Sequence, residues 1–248
     1  MAQEQGSARV LRVVGSARYS MDDNVWRDLA AGDIIKPGTV LQTASSSSLD
    51  IVLYNKEETL AAQTTPVPTL TYRPQGKVTA NAVRLYENTV LSVDKLTSTQ
   101  TGADWVTETQ LDLRKGKIFG SAKKLSGASR YEIKYPNGVA GIRGTVFVMY
   151  ADGKLVVYDG SITEAFSGPS GTGTQTVNTS YEFDPTTGKL VEVGTTSLDI
   201  ENIIVAIKQI GVLPPGAPPS SFAPDVSTHW VSPTIGSPLP DNAGSGPD

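Results

Sequence analysis

Residue types that could act as nucleophiles, metal ligands or acid–base groups are few in this sequence. Its 248 residues contain no cysteine and one histidine, His229, which excludes thiol chemistry and multi-histidine metal sites. Ser121 and Lys124 fit a Ser-x-x-Lys spacing, but the partner motifs of the penicillin-binding enzymes are missing. The acid pairs Asp22-Asp23 and Glu57-Glu58 would point to opposite faces of a strand. Carboxylates from distant strands could still converge for glycoside chemistry. We predict no enzyme activity, metal or cofactor.

Cations concentrate in one stretch of this chain, whose net charge is −4. From Arg114 to Lys134 the stretch contains one acid, Glu132. Its candidate binding residues are Lys115, Lys117, Lys123, Lys124 and Arg130. They would suit an anionic partner at a cell envelope: a lipopolysaccharide phosphate, an acidic polysaccharide or an acidic protein face. A solvated loop and strand edge is the alternative interpretation. The overall negative charge argues against a nucleic-acid partner.

Aromatic side chains offer one further binding chemistry. Trp26 and Trp105 could be exposed platforms on which sugars stack, as in a lectin or a carbohydrate-active enzyme. Core or loop-anchoring tryptophans are the alternative.

Short stretches of alternating apolar and polar residues must position these groups. They are rich in Val, Ile, Tyr and Thr and are separated by glycine-containing turns, which predicts an all-β fold. The strongest hairpin signal is Asp152-Gly153, between the apolar runs 146–150 and 155–158. An Asp-Gly pair accepts the positive φ values of a type I′ turn, so residues 146–158 should be antiparallel.

The C-terminal region departs from this pattern. Residues 197–211 start with a serine cap and acids and carry an apolar stripe that ends at Gly211, which predicts an amphipathic helix. We expect it to cap the open end or edge of the β domain; a docking surface for another chain is the alternative. Residues 212–248 are proline-rich and should be extended. Phe222, Trp230 and Ile235 would anchor this tail in a groove, on its own domain or on a neighbour's.

The most informative motif lies in the run Pro136–Val148, where Gly138, Gly141, Arg143, Gly144 and Thr145 precede a strand that is apolar on both faces. This spacing resembles the Gly-x-x-Gly-x-Arg-Gly-Thr element of the FecR domain family. The resemblance extends over residues 8–195 and includes Pro37 to Thr43 and Glu87 to Val93. One departure is a longer insertion, Tyr54 to Tyr72, where the family has a short hairpin. We predict that Arg143 and Gly144 are structural; a ligand-contacting Arg143 is the alternative.

The resemblance implies a rolled or solenoid-like antiparallel β domain over residues 8–196, followed by the capping helix 197–211 and the tail 212–248. Residues 1–7 look like a mature N-terminus left by signal-peptide removal, which predicts a periplasmic or cell-surface location; an ordinary cytosolic N-terminus is the alternative. Founding members of the family are inner-membrane regulators whose periplasmic FecR domain receives a signal from an outer-membrane transporter. No apolar run here approaches the length of a membrane span.

Three functions are therefore considered. The first is a non-enzymatic envelope module that binds another envelope protein or an anionic glycan through strand edges or a surface groove. The second is a self-assembling structural subunit whose proline-rich tail reaches into the next copy. The third is an enzyme or lectin that uses Trp26 or Trp105.

Overall fold

The computed structural model describes residues 3–21, 25–55, 81–102 and 104–193. Within these ranges the chain is all-β and contains no helix, in agreement with the predicted class. The strands are β1 (Gln3–Gln5), β2 (Ser7–Val14), β3 (Ala17–Met21), β4 (Arg27–Asp28), β5 (Ile34–Ile35), β6 (Thr39–Thr43), β7 (Ser48–Tyr54), β8 (Asn81–Leu85), β9 (Val90–Thr101), β10 (Asp104–Lys115), β11 (Lys117–Ser121), β12 (Arg130–Tyr135), β13 (Gly138–Tyr150), β14 (Leu155–Gly168), β15 (Gly171–Asn178), β16 (Tyr181–Asp184) and β17 (Lys189–Glu192).

These strands form one strongly curled, half-barrel sheet with two limbs. The first limb runs β4–β3–β6–β9–β10–β12, and the second runs β5–β2–β7–β8–β11. Both limbs meet on β13: its first half pairs with β12 and its second half with β11. β14 pairs with the opposite edge of β13 and carries β15 and the β16–β17 hairpin.

The main core lies between the two limbs. Alternation explains its composition: in β2, Ala8 and Val10 are buried while Arg9 is partly exposed. The largest fully buried side chains of the molecule belong almost entirely to this core, among them Tyr131, Phe147, Phe183, Leu41, Leu91 and Leu111. The core ties the limbs together because each limb leaves one face apolar.

One strand pair differs from the predicted antiparallel arrangement. β10 and β12 are parallel, with Glu108 opposite Arg130 and Asp112 opposite Lys134. Parallel neighbours need a crossover of a dozen or more residues. Residues 116–129 supply it, because β11 crosses to the second limb before the chain returns to β12.

The hairpin at Asp152-Gly153 joins β13 to β14 in antiparallel pairing, as predicted. Its turn is not type I′, however, because Gly153 has a positive φ (95°) and Asp152 does not. The Gly153 N–H donates to the carbonyl of Tyr150, and the Lys154 N–H donates to the Asp152 carboxylate at 3.0 Å. The aspartate thus closes the turn through its side chain instead of adopting a left-handed backbone.

Several predicted features lie outside the described residues. They are most of the insertion Tyr54 to Tyr72, His229, the predicted helix 197–211 and the tail 212–248 with Phe222, Trp230 and Ile235. These remain predictions. In the part of the chain that the structure describes, there is no helix long and apolar enough to cross a bilayer.

Candidate functional site

The loop 122–129, between β11 and β12, has a cleft on each side. The first cleft, of about 370 Å³, combines aromatic, amide and cationic side chains. It is lined by Leu53, Tyr54, Asn55, Asn81, Trp105, Thr107, Lys123, Lys124, Leu125, Ser126 and Ser129. The second cleft, of similar volume, is more polar and is lined by residues 127–132, by 141–143 and by Ser161 and Thr163. Ser129 borders both clefts, so they form neighbouring parts of one surface.

Two asparagines hold the walls of the first cleft. The Asn81 side-chain oxygen accepts a hydrogen bond from the Lys123 N–H at 2.9 Å. The Asn55 amide donates to the Glu108 carbonyl at 3.0 Å and to the Thr109 hydroxyl at 2.8 Å. Because these bonds join β7 and β8 to β10 and the loop, they fix the loop against both limbs.

Serines order the loop itself. The hydroxyls of Ser126 and Ser129 lie 2.7 Å apart, and the Ser129 N–H donates to the Ser126 carbonyl. The Thr107 N–H in turn donates to the Ser129 hydroxyl at 2.9 Å. Lys123 and Lys124 therefore project from a loop whose backbone is held at both ends.

The glycine-rich motif forms the corner on which this loop rests. The β13–β14 register breaks between Arg143 and Val146, and Gly144 occupies a positive φ of 64°. The Thr145 hydroxyl donates to the Ser161 carbonyl at 2.8 Å, and the Thr145 carbonyl accepts from the Ala122 N–H at 2.9 Å. This irregularity bends β13 from one limb to the other. Gly138 and Gly141 lie earlier, in the segment of β13 that pairs with β12.

Arg143 is exposed, and it lines the second cleft beside Arg130. Arg130 makes a long, exposed ion pair with Glu132 at 3.5 Å. Within the described ranges, Arg143, Lys123 and Lys124 take part in no ion pair. The motif thus supplies a surface cation as well as a backbone corner. The sequence analysis predicted a structural Arg143, with ligand contact as the alternative.

The predicted basic residues do not form one band. Lys123, Lys124 and Arg130 lie around the loop 122–129, whereas Lys115 ends β10 on a different part of the molecule. The Lys117 ammonium lies 4.4 Å from the centroid of the Tyr86 ring and 5.5 Å from that of Tyr150. Lys117 is therefore engaged on the far face of the second limb.

The two tryptophans have different surroundings. The Arg18 guanidinium lies 4.5 Å from the Trp26 ring centroid, so this ring already stacks on a cation of its own chain. Trp105 is half-buried and lines the first cleft together with Lys123 and Lys124. Of the two candidate platforms, Trp105 is the one that meets the cationic loop.

The cations around these two clefts give the surface a chemistry suited to attracting and orienting anions.

The Ser-x-x-Lys spacing does not form a nucleophile and a base that face one cleft, because Ser121 is buried in β11 while Lys124 is exposed. No group of three potential metal ligands comes together among the described residues.

One acid missed by sequence reasoning is Glu164 on β14, which is completely buried. Its carboxyl lies beside the Tyr135 hydroxyl, yet neither has a well-formed hydrogen bond in the described part of the chain. Burial raises the pKa of Glu164 to about 7. Burial, together with this neighbouring carboxyl, also raises the pKa of Tyr135. Glu164 lies in the core, away from both clefts.

Comparison with known proteins finds one matching family model. Residues 76–163 match the family model described as FecR protein, which confirms the resemblance over this range. The chain is also similar to two crystal structures of a putative anti-sigma factor from Parabacteroides distasonis ATCC 8503, each at 12% identity. The alignments cover 55% and 56% of this chain, with TM-scores of 0.36 and 0.35. The chain spans less than two thirds of those proteins, 62% and 63%. No curated protein matches it significantly.

Proposed function

From the FecR match over residues 76–163, we propose that this protein is a non-enzymatic binding module of the bacterial cell envelope that receives a partner carrying acidic groups. The partner docks on the loop 122–129 and its two clefts, which we call the cationic loop face. We place the protein in the periplasm or at the cell surface, where the FecR resemblance points. The first partner class is another envelope protein, as the family's signalling role implies; an anionic polysaccharide is the alternative ligand.

The observation that carries this proposal is the placement of Lys123 and Lys124 in one cleft, and of Arg130 and Arg143 in the neighbouring cleft, of a chain with a net charge of −4. Lys123, Lys124 and Arg143 have no acid partner among the described residues, so their charge is available to a ligand. A concentrated positive face on an acidic protein steers acidic partners and sets their orientation.

The test is charge reversal on this face. Lys123→Glu combined with Lys124→Glu should abolish capture of the partner from an envelope extract, and an interferometry assay with the identified partner should show at least a tenfold weaker Kd. Lys189→Glu, which reverses an exposed cation on β17, is the matched control. Equal binding by both variants would refute the assignment of the face.

The same assay separates the two ligand classes. Trp105→Ala should greatly weaken binding to an acidic polysaccharide such as polygalacturonate, because a sugar ring needs the Trp105 indole as a surface on which to stack. A protein partner that uses mainly the cations should be less sensitive to this substitution. Comparing the loss of affinity caused by Trp105→Ala with that caused by the Lys123→Glu and Lys124→Glu double variant therefore shows which class of ligand is bound.

A second candidate, self-assembly, is favoured by β15, whose second edge pairs with no strand among the described residues. The strand pairs with β14 over eight residues without a register break. Its sequence, Gly171 to Asn178, contains no charge and no proline. Edges that lack these protective features pair readily with another strand. Light scattering should show an oligomer that Thr174→Lys with Thr176→Lys converts to a monomer; a monomeric wild-type chain would eliminate this candidate.

A further inference from the structure

The second limb of the sheet has a buried face on the side away from the core. In β7, Leu49, Ile51 and Leu53 point into the core, so Asp50 and Val52 point the other way. The residues in register with Asp50 and Val52 share this outer face: Arg84 and Ala82 on β8, Phe119 on β11 and Val148 on β13. Asp50, Ala82 and Phe119 are nevertheless 0% exposed.

Apolar and ionic groups are both enclosed on this outer face. Val52, Ala82, Phe119, Val146 and Val148 form a second apolar cluster, separate from the core, with tyrosines packed against it. Beside the cluster, Asp50 accepts hydrogen bonds from Arg84 at 2.6 and 2.8 Å and from Arg12 at 3.1 Å. A buried charge cluster of this kind is costly unless it is well paired and shielded.

Side chains of the sheet itself cover only part of this face, because Leu11 and the four tyrosines that pack on the cluster are themselves only partly buried. Among the described strands, none is stacked over them. The strands that contact β7, β8, β11 and β13 most extensively are their hydrogen-bonded neighbours in the same sheet. Strands within a sheet lie beside one another and leave its faces open, so a face buried on both sides requires another layer.

We propose that residues 197–211 form this layer, as an amphipathic helix laid on the outer face of the second limb. This places the helix on a sheet face rather than at the open end or edge of the β domain. Its apolar stripe, Ile200, Ile203, Ile204, Ile207 and Ile210, faces the Phe119 cluster. The proposal concerns the protein's own architecture and does not depend on the proposed function.

The geometry of the chain supports this occupant. Residue 197 follows closely after β17, which belongs to the same sheet. The order β17–β16–β14–β13–β11 puts Phe119 about 19 Å from β17 at the usual spacing between strands. A helix of this length extends for about 22 Å, so it reaches the cluster.

The charge of the segment 197–211 is complementary to that of the outer face. The outer face carries the cations Arg12, Arg84, Lys117 and Lys154 against the acids Asp50 and Glu182, the latter paired with Lys154 at 2.9 Å. The segment 197–211 carries Asp199 and Glu201 against Lys208. Its net negative charge offsets the surplus positive charge of the face.

Because the chain has no cysteine, engineered thiols can test this contact in the full-length protein. Val148→Cys is combined with Ile200→Cys, Ile203→Cys or Ile207→Cys, and mild oxidation is followed by non-reducing electrophoresis. At least one stripe position should form a disulfide within the monomer, since cross-linking requires close Cα atoms. The pair with Gln209→Cys, on the opposite side of the predicted helix, should not. Disulfides confined to dimers, or absent from every stripe pair, would overturn the proposal.

Truncation of the chain tests independently whether residues 197–211 cover the outer face. Ending the chain at residue 193 should expose the Phe119 cluster, seen as increased binding of an apolar dye and a lower Tm, whereas ending it at residue 211 should preserve both. Equal dye binding and Tm for the two truncations would contradict the proposal. Exposure that appears only when residues 56–80 are removed would assign the layer to that insertion instead.

Discussion

Gly144 packs directly against Lys124: a Cβ built on Gly144 would lie 2.9 Å from the Lys124 Cγ and 3.0 Å from its Cα. The backbone corner of the FecR-like motif therefore sets the position of the cationic loop face. Since Gly144 also has a φ of 64°, any side chain there combines backbone strain with a close contact.

We expect Gly144→Ala to lower the free energy of unfolding by about 1 kcal/mol or more, because alanine is strained at positive φ. Gly127→Ala, in the same loop, is the matched control: its added Cβ meets nothing within 4 Å and its φ is not positive. Urea denaturation of both variants measures the difference. Equal midpoints would show that the corner tolerates a side chain.

Asp50→Ala should destabilise the protein by about 3–5 kcal/mol, because it leaves Arg12 and Arg84 buried without their acid. Lys95→Ala removes a partner from an exposed ion pair with Glu108 at 2.6 Å and should cost no more than about 1 kcal/mol. Thermal unfolding compares the two. A small loss for Asp50→Ala would mean that solvent reaches the outer face.

Stability should depend on pH through Glu164. Its pKa rises from 4.5 when unfolded to about 7 when folded, so the folded state holds this proton more tightly. The associated stability is fully present below about pH 4.5 and is lost as the pH rises to about 7, a change of about 3 kcal/mol.

Glu164→Gln should remove this dependence and leave the variant more stable than wild type at pH 8. Urea midpoints across this pH range test the prediction, with Glu192→Gln, an exposed acid on β17, as the control. Parallel pH profiles for wild type and Glu164→Gln would exclude a buried, titrating Glu164.

Binding at the cationic loop face should weaken with salt. Raising the ionic strength from about 0.05 M to about 0.5 M shortens the screening length severalfold, so the measured Kd should rise and the association rate should fall. The Lys123→Glu and Lys124→Glu double variant should lose most of this salt dependence. A wild-type Kd that does not change with salt would contradict an electrostatic partner.

Sequence reasoning predicted the all-β class, the β13–β14 hairpin and the motif around Gly144, because turn glycines and apolar alternation are local signals. It underestimated the lengths of β9 and β10, which extend into the polar stretch 94–110. The polar side chains there gave no apolar pattern, yet pairing with each other, with β1 and with β12 makes them strands.

Glu164 could not be found from the sequence. An acid normally indicates a solvent-facing position, but Ile162 and Phe166 both turn towards the core. Because strand side chains alternate with a period of two, Glu164 must face the same way as these two neighbours. The convergence of Trp105, Lys123 and Arg143 was equally hidden, since it depends on β11 crossing between the limbs.

The pairing of β1 with β9 limits the order in which the chain can fold. Gln3 lies opposite Thr99, and β2 needs β7 for its ladder. β1 and β2 therefore depend on partners that lie much later in the chain. Folding should be slow and should nucleate on the local β13–β14 hairpin, with the N-terminal strands joining last. A stopped-flow experiment on variants of each region would show early formation at Val148 and Val156 and late formation at Val10.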